Sequence, residues 1–317
     1  MNVSVIRHHS VPTLGPNDPV IEVEDLRKSY GPHIAVAGID LDVRPGEIFG
    51  LLGPNGAGKT TIVETIQGLR RPSGGRIRVL GLDPELHGDE MRRRIGVQLQ
   101  SSALPDRLRV GEALALFSRD RDAQSIGELA QRWGLTEIWR RPFAKLSGGQ
   151  QQRLFIALAL INRPEVVFFD ELTTGLDPHA RRATWDLIRR VRDEGATVML
   201  VTHFMEEAEN LCDRVSIVDR GRIITTGTPS ALIEQSDAAR RVTFSWPGAD
   251  LAWLSTLPGV QRVTRRKTGV EVIGGETLAI TTAAALARHD IRPTDFRTHY
   301  PNLEEVFLAL TGRDLRA

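Results

Sequence analysis

The sequence is poor in cysteine and has no long apolar segment. Cys212 is the single cysteine among 317 residues, which excludes an intramolecular disulfide and agrees with a reducing compartment. The longest apolar run, Leu154 to Ile161, is far shorter than the ~20 residues that a membrane-spanning helix requires. If the protein serves a membrane, we therefore expect another chain to supply the membrane-spanning part.

Lysine is scarce, and the net charge is close to zero. The formal net charge is +1, so charge alone indicates no nucleic-acid or other anionic partner. Lysine occurs only at positions 28, 59, 145 and 267, whereas lysine and arginine together number 41. The lysine at 59, inside a glycine-rich segment, is therefore less easily explained by composition.

The composition and segment pattern predict three parts. Residues 1–19 hold three prolines and are predicted to be a flexible tail. Residues 20–235 alternate apolar strands with helices, which is typical of a parallel α/β sheet. A mostly helical region is expected at about 101–160. From 236 to 317 the pattern changes to that of a small α+β domain.

Within residues 20–235, the apolar runs at 48–52, 166–169 and 197–202 are uninterrupted, which favours strands covered on both faces. Ligands bind at the carboxyl ends of such strands. The residues that follow directly are Gly53, Asp170 and His203. The next helix is predicted to carry one apolar face, formed by Ile62, Val63, Ile66 and Leu69.

In the last part of the chain, strands are predicted at 241–246, 269–273 and 291–298, and helices at 249–257 and 276–289. A final helix is predicted to begin at Asn302 and to end at Gly312. Its apolar face would comprise Leu303, Val306, Phe307 and Leu310.

Residues 53–61 have the pattern of a phosphate-binding loop. Its glycines allow successive backbone N–H groups to surround phosphates, Lys59 can reach the β- and γ-phosphates, and the Thr60 hydroxyl can ligate Mg²⁺. The loop comprises Gly53, Pro54, Asn55, Gly56, Ala57, Gly58, Lys59, Thr60 and Thr61.

A second motif, Leu146-Ser147-Gly148-Gly149-Gln150, lies about ninety residues downstream. Ser147 and Gln150 have the spacing of a capping box, so a helix is expected to begin here. Together the two motifs resemble the ATP-binding-cassette (ABC) family. The resemblance covers about residues 20–235. It implies a P-loop NTPase fold: a RecA-like α/β core with an antiparallel β subdomain and a helical subdomain, followed here by the small α+β domain.

The family resemblance, together with the needs of ATP hydrolysis, assigns roles to four residues. Asp170 would hold Mg²⁺, and Glu171 would orient or deprotonate the attacking water. Gln100, with Gln98 as the alternative, resembles the glutamine that contacts Mg²⁺ and senses the γ-phosphate. His203, at the end of a predicted strand, would bond the γ-phosphate. ATP and Mg²⁺ are thus the expected cofactors.

Two further elements follow from the resemblance. Tyr30 resembles the aromatic platform on which adenine stacks. Ser147, Gly148, Gly149 and Gln150 would complete the ATP site of a second subunit, and Asp177 belongs to a segment that links the two sites. Two head-to-tail copies, as a homodimer, would therefore bury two ATP molecules.

One residue departs from the family pattern. Leu172 follows Glu171 where the family usually has proline. Leucine has a backbone N–H and a freer φ angle, so the turn is expected to be less rigid. Because Asp170, Glu171 and Asp177 keep their spacing, we expect catalysis to survive.

Residues 95–100 and 301–312 resemble segments of drug- and antibiotic-resistance export ATPases. This resemblance implies the ATP-hydrolysing subunit of an exporter. The expected partner is a separately encoded permease, with the ATPase bound peripherally at the cytoplasmic face of the cell membrane. No nucleic-acid partner is expected. The alternative is a soluble ABC ATPase that acts in regulation, on nucleic acid or on the ribosome. A single cassette, the absence of a long coiled coil and the near-zero charge disfavour it.

Overall fold

The computed structural model describes residues 15, 18–98, 103–118, 123–236, 240–248, 251–266 and 269–312. The chain divides into two compact units, residues 1–229 and 230–317.

The first unit contains a six-stranded sheet and a three-stranded antiparallel sheet within its described residues. The larger sheet has the strand order β5-β6-β7-β3-β8-β9, and the smaller has the order β2-β1-β4. All neighbours in the larger sheet are parallel except β8 and β9. The strands are β1 (Ile21–Tyr30), β2 (His33–Val43), β3 (Ile48–Leu52), β4 (Gly74–Val79), β5 (Ile95–Gln98), β6 (Val166–Asp170), β7 (Thr197–Thr202), β8 (Arg214–Asp219) and β9 (Arg222–Gly227).

Helices pack against these sheets, and the helices between residues 110 and 160 contact one another and form a helical layer. None of the helices in the described ranges is both long and apolar enough to cross a membrane. The helices are α1 (Lys59–Ile66), α2 (Gly88–Arg94), α3 (Val110–Phe117), α4 (Ala123–Arg132), α5 (Gly148–Leu160), α6 (Pro178–Asp193) and α7 (Met205–Leu211), with α8 (Pro229–Gln235) at the division between the units.

The three central strands of the larger sheet carry the site. Every residue of β3, β6 and β7 is buried, as their uninterrupted apolar sequences predict. Because these strands are parallel neighbours, their carboxyl ends lie at one edge of the sheet. Gly53, Asp170 and His203 are therefore brought to the same edge.

The first helix is shorter than its apolar pattern predicts. α1 ends at Ile66 because Gly68 adopts a left-handed φ of +71°. The Gly68 N–H donates to Thr65 O, and the Leu69 N–H donates to Glu64 O, which is the pattern of a Schellman cap. The placement of Leu69 on the buried face was wrong: it follows the cap and is 54% exposed.

The region at 101–160 is less regular than predicted. Between α3 and α5 the described residues include α4 and two 3₁₀ turns, at Thr136–Ile138 and Phe143–Lys145. The predicted capping box before α5 is confirmed. Ser147 Oγ accepts from the Gln150 N–H, and Gln150 Oε1 accepts from the Ser147 N–H.

The second unit is an antiparallel sheet with helices, as predicted, but its boundaries differ. The predicted helix at 249–257 is a 3₁₀ turn, Ala252–Thr256. The sequence pattern also failed to predict the strand at Val260–Arg266, in which three arginines obscure the alternation of apolar and polar residues. In the described residues the sheet order is β11-β12-β10-β13. The elements are β10 (Arg240–Ser245), β11 (Val260–Arg266), β12 (Gly269–Gly274), α9 (Leu278–Arg288), β13 (Thr294–His299) and α10 (Leu303–Thr311).

The last helix has the predicted ends but a narrower apolar face. Asn302 caps α10 by accepting from the Glu305 N–H, and Gly312 closes it in a left-handed conformation. Leu303, Val306 and Phe307 are buried, whereas Leu310 is 50% exposed, so its assignment to the buried face was wrong.

Phe307→Ala and Leu310→Ala therefore test the packing of α10. Phe307 is only 1% exposed, so its truncation should lower the free energy of unfolding by about 3–5 kcal/mol. The matched Leu310→Ala change should cost much less, because half of that side chain already contacts water. Urea denaturation of the two variants measures the difference, and equal losses would contradict the assigned burial.

Candidate active site

The phosphate-binding loop connects β3 to α1. Gly53 can only be glycine, because a Cβ there would lie 2.2 Å from the Val218 carbonyl oxygen of β8. Gly56 and Gly58 have left-handed φ angles of +78° and +103°. α1 begins directly at Lys59, so the N–H groups of its first turn face the loop, where they can bind an anion.

Lys59 is buried at the centre of this loop, with 5% exposure. Its ammonium donates to the carbonyl oxygens of Gly53, at 2.7 Å, and Pro54, at 2.9 Å. Burial lowers the pKa of Lys59, while the nearby carboxylates of Glu171 and Asp170 act in the opposite direction. The loop thus holds a positive charge close to two potential negative charges.

Asp170 ends β6 as a buried carboxyl group, with 4% exposure. Its Oδ1 atom accepts no hydrogen bond within the described part of the chain. Burial raises its pKa to about 6; the charge of Glu171 acts in the same direction, and Lys59 acts against it. A buried carboxylate oxygen without a hydrogen bond is suited to act as a ligand of a metal cation.

Glu171 and His203 meet at the ends of adjacent strands. Glu171 has a left-handed φ of +50°, and its N–H donates to the Val201 carbonyl of β7. This turn directs its side chain to His203, whose Nδ1 lies 3.2 Å from Glu171 Oε1. The structure therefore pairs the predicted water-activating carboxylate with the predicted γ-phosphate ligand.

Leu172, the departure from the family pattern, is 1% exposed. Its side chain is therefore anchored by burial in the unit's interior. Proline restrains such a turn through its ring, whereas leucine here contributes apolar packing instead.

A cleft of about 540 Å³ opens beside Lys59. Tyr30, 40% exposed, lies on one side, with the Lys28 ammonium 5.0 Å and the Arg70 guanidinium carbon 5.6 Å from its ring centroid. The structure thus brings Tyr30 to the loop across almost thirty residues of sequence. The cleft is lined by Tyr30, His33, Ile34, Ala35, Asn55, Gly56, Gly58, Lys59, Thr60, Thr61, Glu171, Arg220 and Gly221.

Two parts of this lining were not found from the sequence. His33 and Ile34 begin β2, and Arg220 and Gly221 form the turn that connects β8 to β9. The Gly221 N–H donates to Ala57 O at 2.8 Å, which fixes the β8–β9 turn against the phosphate loop. The Arg-Gly turn signal was visible in the sequence, but its proximity to the loop depends on tertiary packing.

The Leu-Ser-Gly-Gly-Gln motif is not among the residues that line this cleft. Instead, Gly148 lies next to the segment before α6, since a Cβ on it would be 3.6 Å from Leu176 Cδ2. Asp177 caps α6 by accepting from the N–H groups of His179 and Ala180, both at 2.9 Å. These bonds lower the pKa of Asp177.

Gln100 lies outside the described residues. The alternative, Gln98, is the last residue of β5, pairs with Phe169 of β6 and is 7% exposed.

Comparison with known proteins agrees with this geometry. Residues 36–174 match the family model described as ABC transporter. Over 309 residues the chain is 39% identical to the daunorubicin resistance ATP-binding protein DrrA3 of Streptomyces coeruleorubidus, covering 94% of this chain and 98% of the relative. The chain belongs to the ABC transporter family. With this fold and phosphate loop, it is an ATP-binding ATPase.

Other members of the family extend the similarity. The Nod factor export ATP-binding protein I of Ralstonia nicotianae is 39% identical over 94% of this chain and 95% of its own length. Among solved structures, an ATP-binding subunit of an ABC transporter superposes with a TM-score of 0.61 at 28% identity, over 68% of this chain and 92% of its own. CbiO1 from Clostridium perfringens, part of the CbiONQ ABC transporter complex, gives the same TM-score and identity over 69% and 92%.

The raised pKa of Asp170 gives a signed prediction for Asp170→Asn. Above about pH 6 the native state holds an ionised buried carboxylate that the unfolded chain solvates, so wild-type stability is lowered there. Without nucleotide and in EDTA at pH 8, the amide should stabilise the protein by on the order of 1–3 kcal/mol. The gain should shrink as the pH falls from 6 towards 4.

Thermal unfolding at several pH values measures this effect. Asp186→Asn is the matched control, because the Asp186 carboxylate is 78% exposed and pairs with Arg189 at the surface. It should change stability by less than about 1 kcal/mol at any pH. Destabilisation of the Asp170→Asn protein at pH 8 would contradict the account.

Proposed function

We propose that this chain is the ATP-hydrolysing subunit of an exporter for a drug, an antibiotic or a lipid-like molecule. One observation carries the proposal. The similarity to the daunorubicin-resistance and Nod-factor-export ATP-binding proteins covers 94% of this chain, so it includes the second unit as well as the cassette. The transported molecule would pass through a separately encoded permease, with this chain bound at the cytoplasmic face of the membrane.

The cleft accounts for nucleotide binding. Adenine would stack on the exposed ring of Tyr30, next to the cationic groups of Lys28 and Arg70. The triphosphate would extend into the loop from Gly53 to Thr61 and on to the N-terminus of α1. There it would replace the two loop carbonyls as the partner of the Lys59 ammonium.

Mg²⁺ fits the residues beside the loop. Asp170 offers a buried oxygen without a hydrogen bond, and Thr60 offers an exposed hydroxyl at the start of α1. No cluster of three His, Cys, Asp or Glu side chains suited to a metal ion is found in the described ranges. The remaining ligands would therefore be phosphate oxygens and water, with Gln100 as a further candidate. When bound, Mg²⁺ neutralises charge on the phosphates.

Hydrolysis requires an oriented water molecule. The Glu171 carboxylate would accept a proton from this water, while His203 would donate a hydrogen bond to the γ-phosphate. Their 3.2 Å contact fixes the two side chains relative to each other. Both lie beside the Lys59 loop, so the catalytic groups and the phosphate groups converge at one sheet edge.

A second copy of the chain would complete each site. Ser147 caps α5, where the N–H groups of Gly148 and Gly149 in the first turn favour an anion. Its hydroxyl accepts from Gln150, which leaves its own proton for an acceptor outside the helix. Since the motif does not line its own cleft, we assign it to the γ-phosphate of the opposing copy.

The permease would contact the helical layer. Leu104 and Leu108, which precede α3, are half-buried, and Phe117 at the end of α3 is 45% exposed. Leu116 beside it is 70% exposed. Two adjacent exposed apolar side chains are suited to contact a partner's apolar helix.

Glu171→Gln tests the proposal for ATP hydrolysis and for transport. The amide keeps the shape of the side chain but cannot accept the proton, so ATP should bind while turnover falls by about 100-fold or more. In cells that carry the permease, efflux should fall together with hydrolysis. Glu206→Gln, an exposed change on α7, should leave both at the wild-type level. Hydrolysis by Glu171→Gln near the wild-type rate would disprove the assignment.

A further inference from the structure

A buried contact joins α6 to α7, the two helices that follow the catalytic ends of β6 and β7 along the chain. The Trp185 indole N–H donates to Glu207 Oε1 at 3.0 Å. Trp185 is 4% exposed and Glu207 is fully buried. Glu207 lies four residues after His203, and none of the nucleotide-binding groups described above requires a carboxylate at this position.

A second contact, one turn away on α6, is made with Phe204, which directly precedes α7. Arg181 and Trp185 are four residues apart, so they share one face of α6. The guanidinium carbon of Arg181 lies 4.2 Å from the centroid of the Phe204 ring. The Phe204 ring in turn lies 4.1 Å from the ring of His203. Thus one face of α6 contacts the segment after His203 at two points.

Burial of the Glu207 carboxyl group is costly and needs a reason. Burial raises the pKa of the Glu207 carboxyl group, while the nearby Thr202, Thr173 and Trp185 side chains lower it. Of these, the Trp185 N–H donates to the carboxyl group, and Glu207 Oε2 has no hydrogen-bond partner within the described residues. Thr202 directly precedes His203, and Thr173 follows Glu171 by two residues. The carboxyl group therefore lies among residues of both catalytic strand ends and of α6. An apolar side chain could fill the space but could not accept the hydrogen bond from the Trp185 indole N–H.

We infer that Glu207 is a positioning residue. Together with Trp185 and the Arg181–Phe204 contact, it holds His203 at the distance from Glu171 that ATP hydrolysis requires. Asp177, the N-cap of α6, directly follows Leu176, which lies next to the Ser147 motif. A change at the subunit contact would therefore reach His203 through α6. This inference rests on the proposed function, since it uses the roles proposed there for His203 and Glu171.

The test is the rate of single-turnover ATP hydrolysis by the full chain. Glu207→Leu, which fills the space but cannot accept from the Trp185 N–H, should slow hydrolysis by about 10-fold or more, since small displacements of a catalytic group have large effects. Trp185→Phe, which keeps the aromatic volume and removes the N–H, should slow it in the same direction. The KM for ATP should stay within about twofold, because neither residue lines the nucleotide cleft. Glu206→Leu, at an exposed position of α7, is the matched control and should keep the wild-type rate.

A double-variant comparison distinguishes positioning from general loss of structure. If Glu207 acts through His203, adding Glu207→Leu to His203→Ala should lower the residual rate by less than about twofold. A full multiplicative loss, or rates within twofold of wild type for both Glu207→Leu and Trp185→Phe, would overturn the inference. Failure of the proposed function would look different: wild type would not hydrolyse ATP, or Glu171→Gln would retain the wild-type rate.

Discussion

The structure depends on the placement of one buried lysine beside two carboxyl groups. Lys59 lies in a loop whose backbone provides carbonyl oxygens for its ammonium, and Asp170 and Glu171 raise its pKa against the effect of burial. Charges in such a position are costly unless they are compensated. The parallel sheet supplies the compensation, because it brings the ends of β3 and β6 to one edge. The same arrangement prepares the loop for the negative charge of a nucleotide.

The sequence predicted those parts of the site that short motifs and strand ends determine. Sequence motifs predicted the phosphate loop, the capping box at Ser147 and the buried strands before Asp170 and His203, because each of these follows from local residue types. Leu69 and Leu310 were misplaced, since apolar spacing does not reveal where a cap ends a helix or how wide a buried face is. The roles of the Gly221 turn and of Glu207 could not be predicted, because their partners are distant in sequence.

The proposed coupling gives helix α6 a central position. Its first turn is capped by Asp177, near the Ser147 motif, and its second and third turns contact Phe204 and Glu207. A rigid helix with specific contacts at both places can transmit a displacement of one to the other. This would link completion of the ATP site by a second copy to the geometry of the His203–Glu171 pair in the first.

The central claim is that each ATP site is built from two copies of the chain. A structure of the Glu171→Gln protein with ATP and Mg²⁺ tests it most directly, through the distance from Ser147 Oγ to the nearest γ-phosphate. The account predicts a separation of about 3 Å, a hydrogen bond, to the ATP held by Lys59 of the other copy. An ATP-bound structure in which Ser147 contacts the nucleotide of its own chain, or no nucleotide, would contradict it.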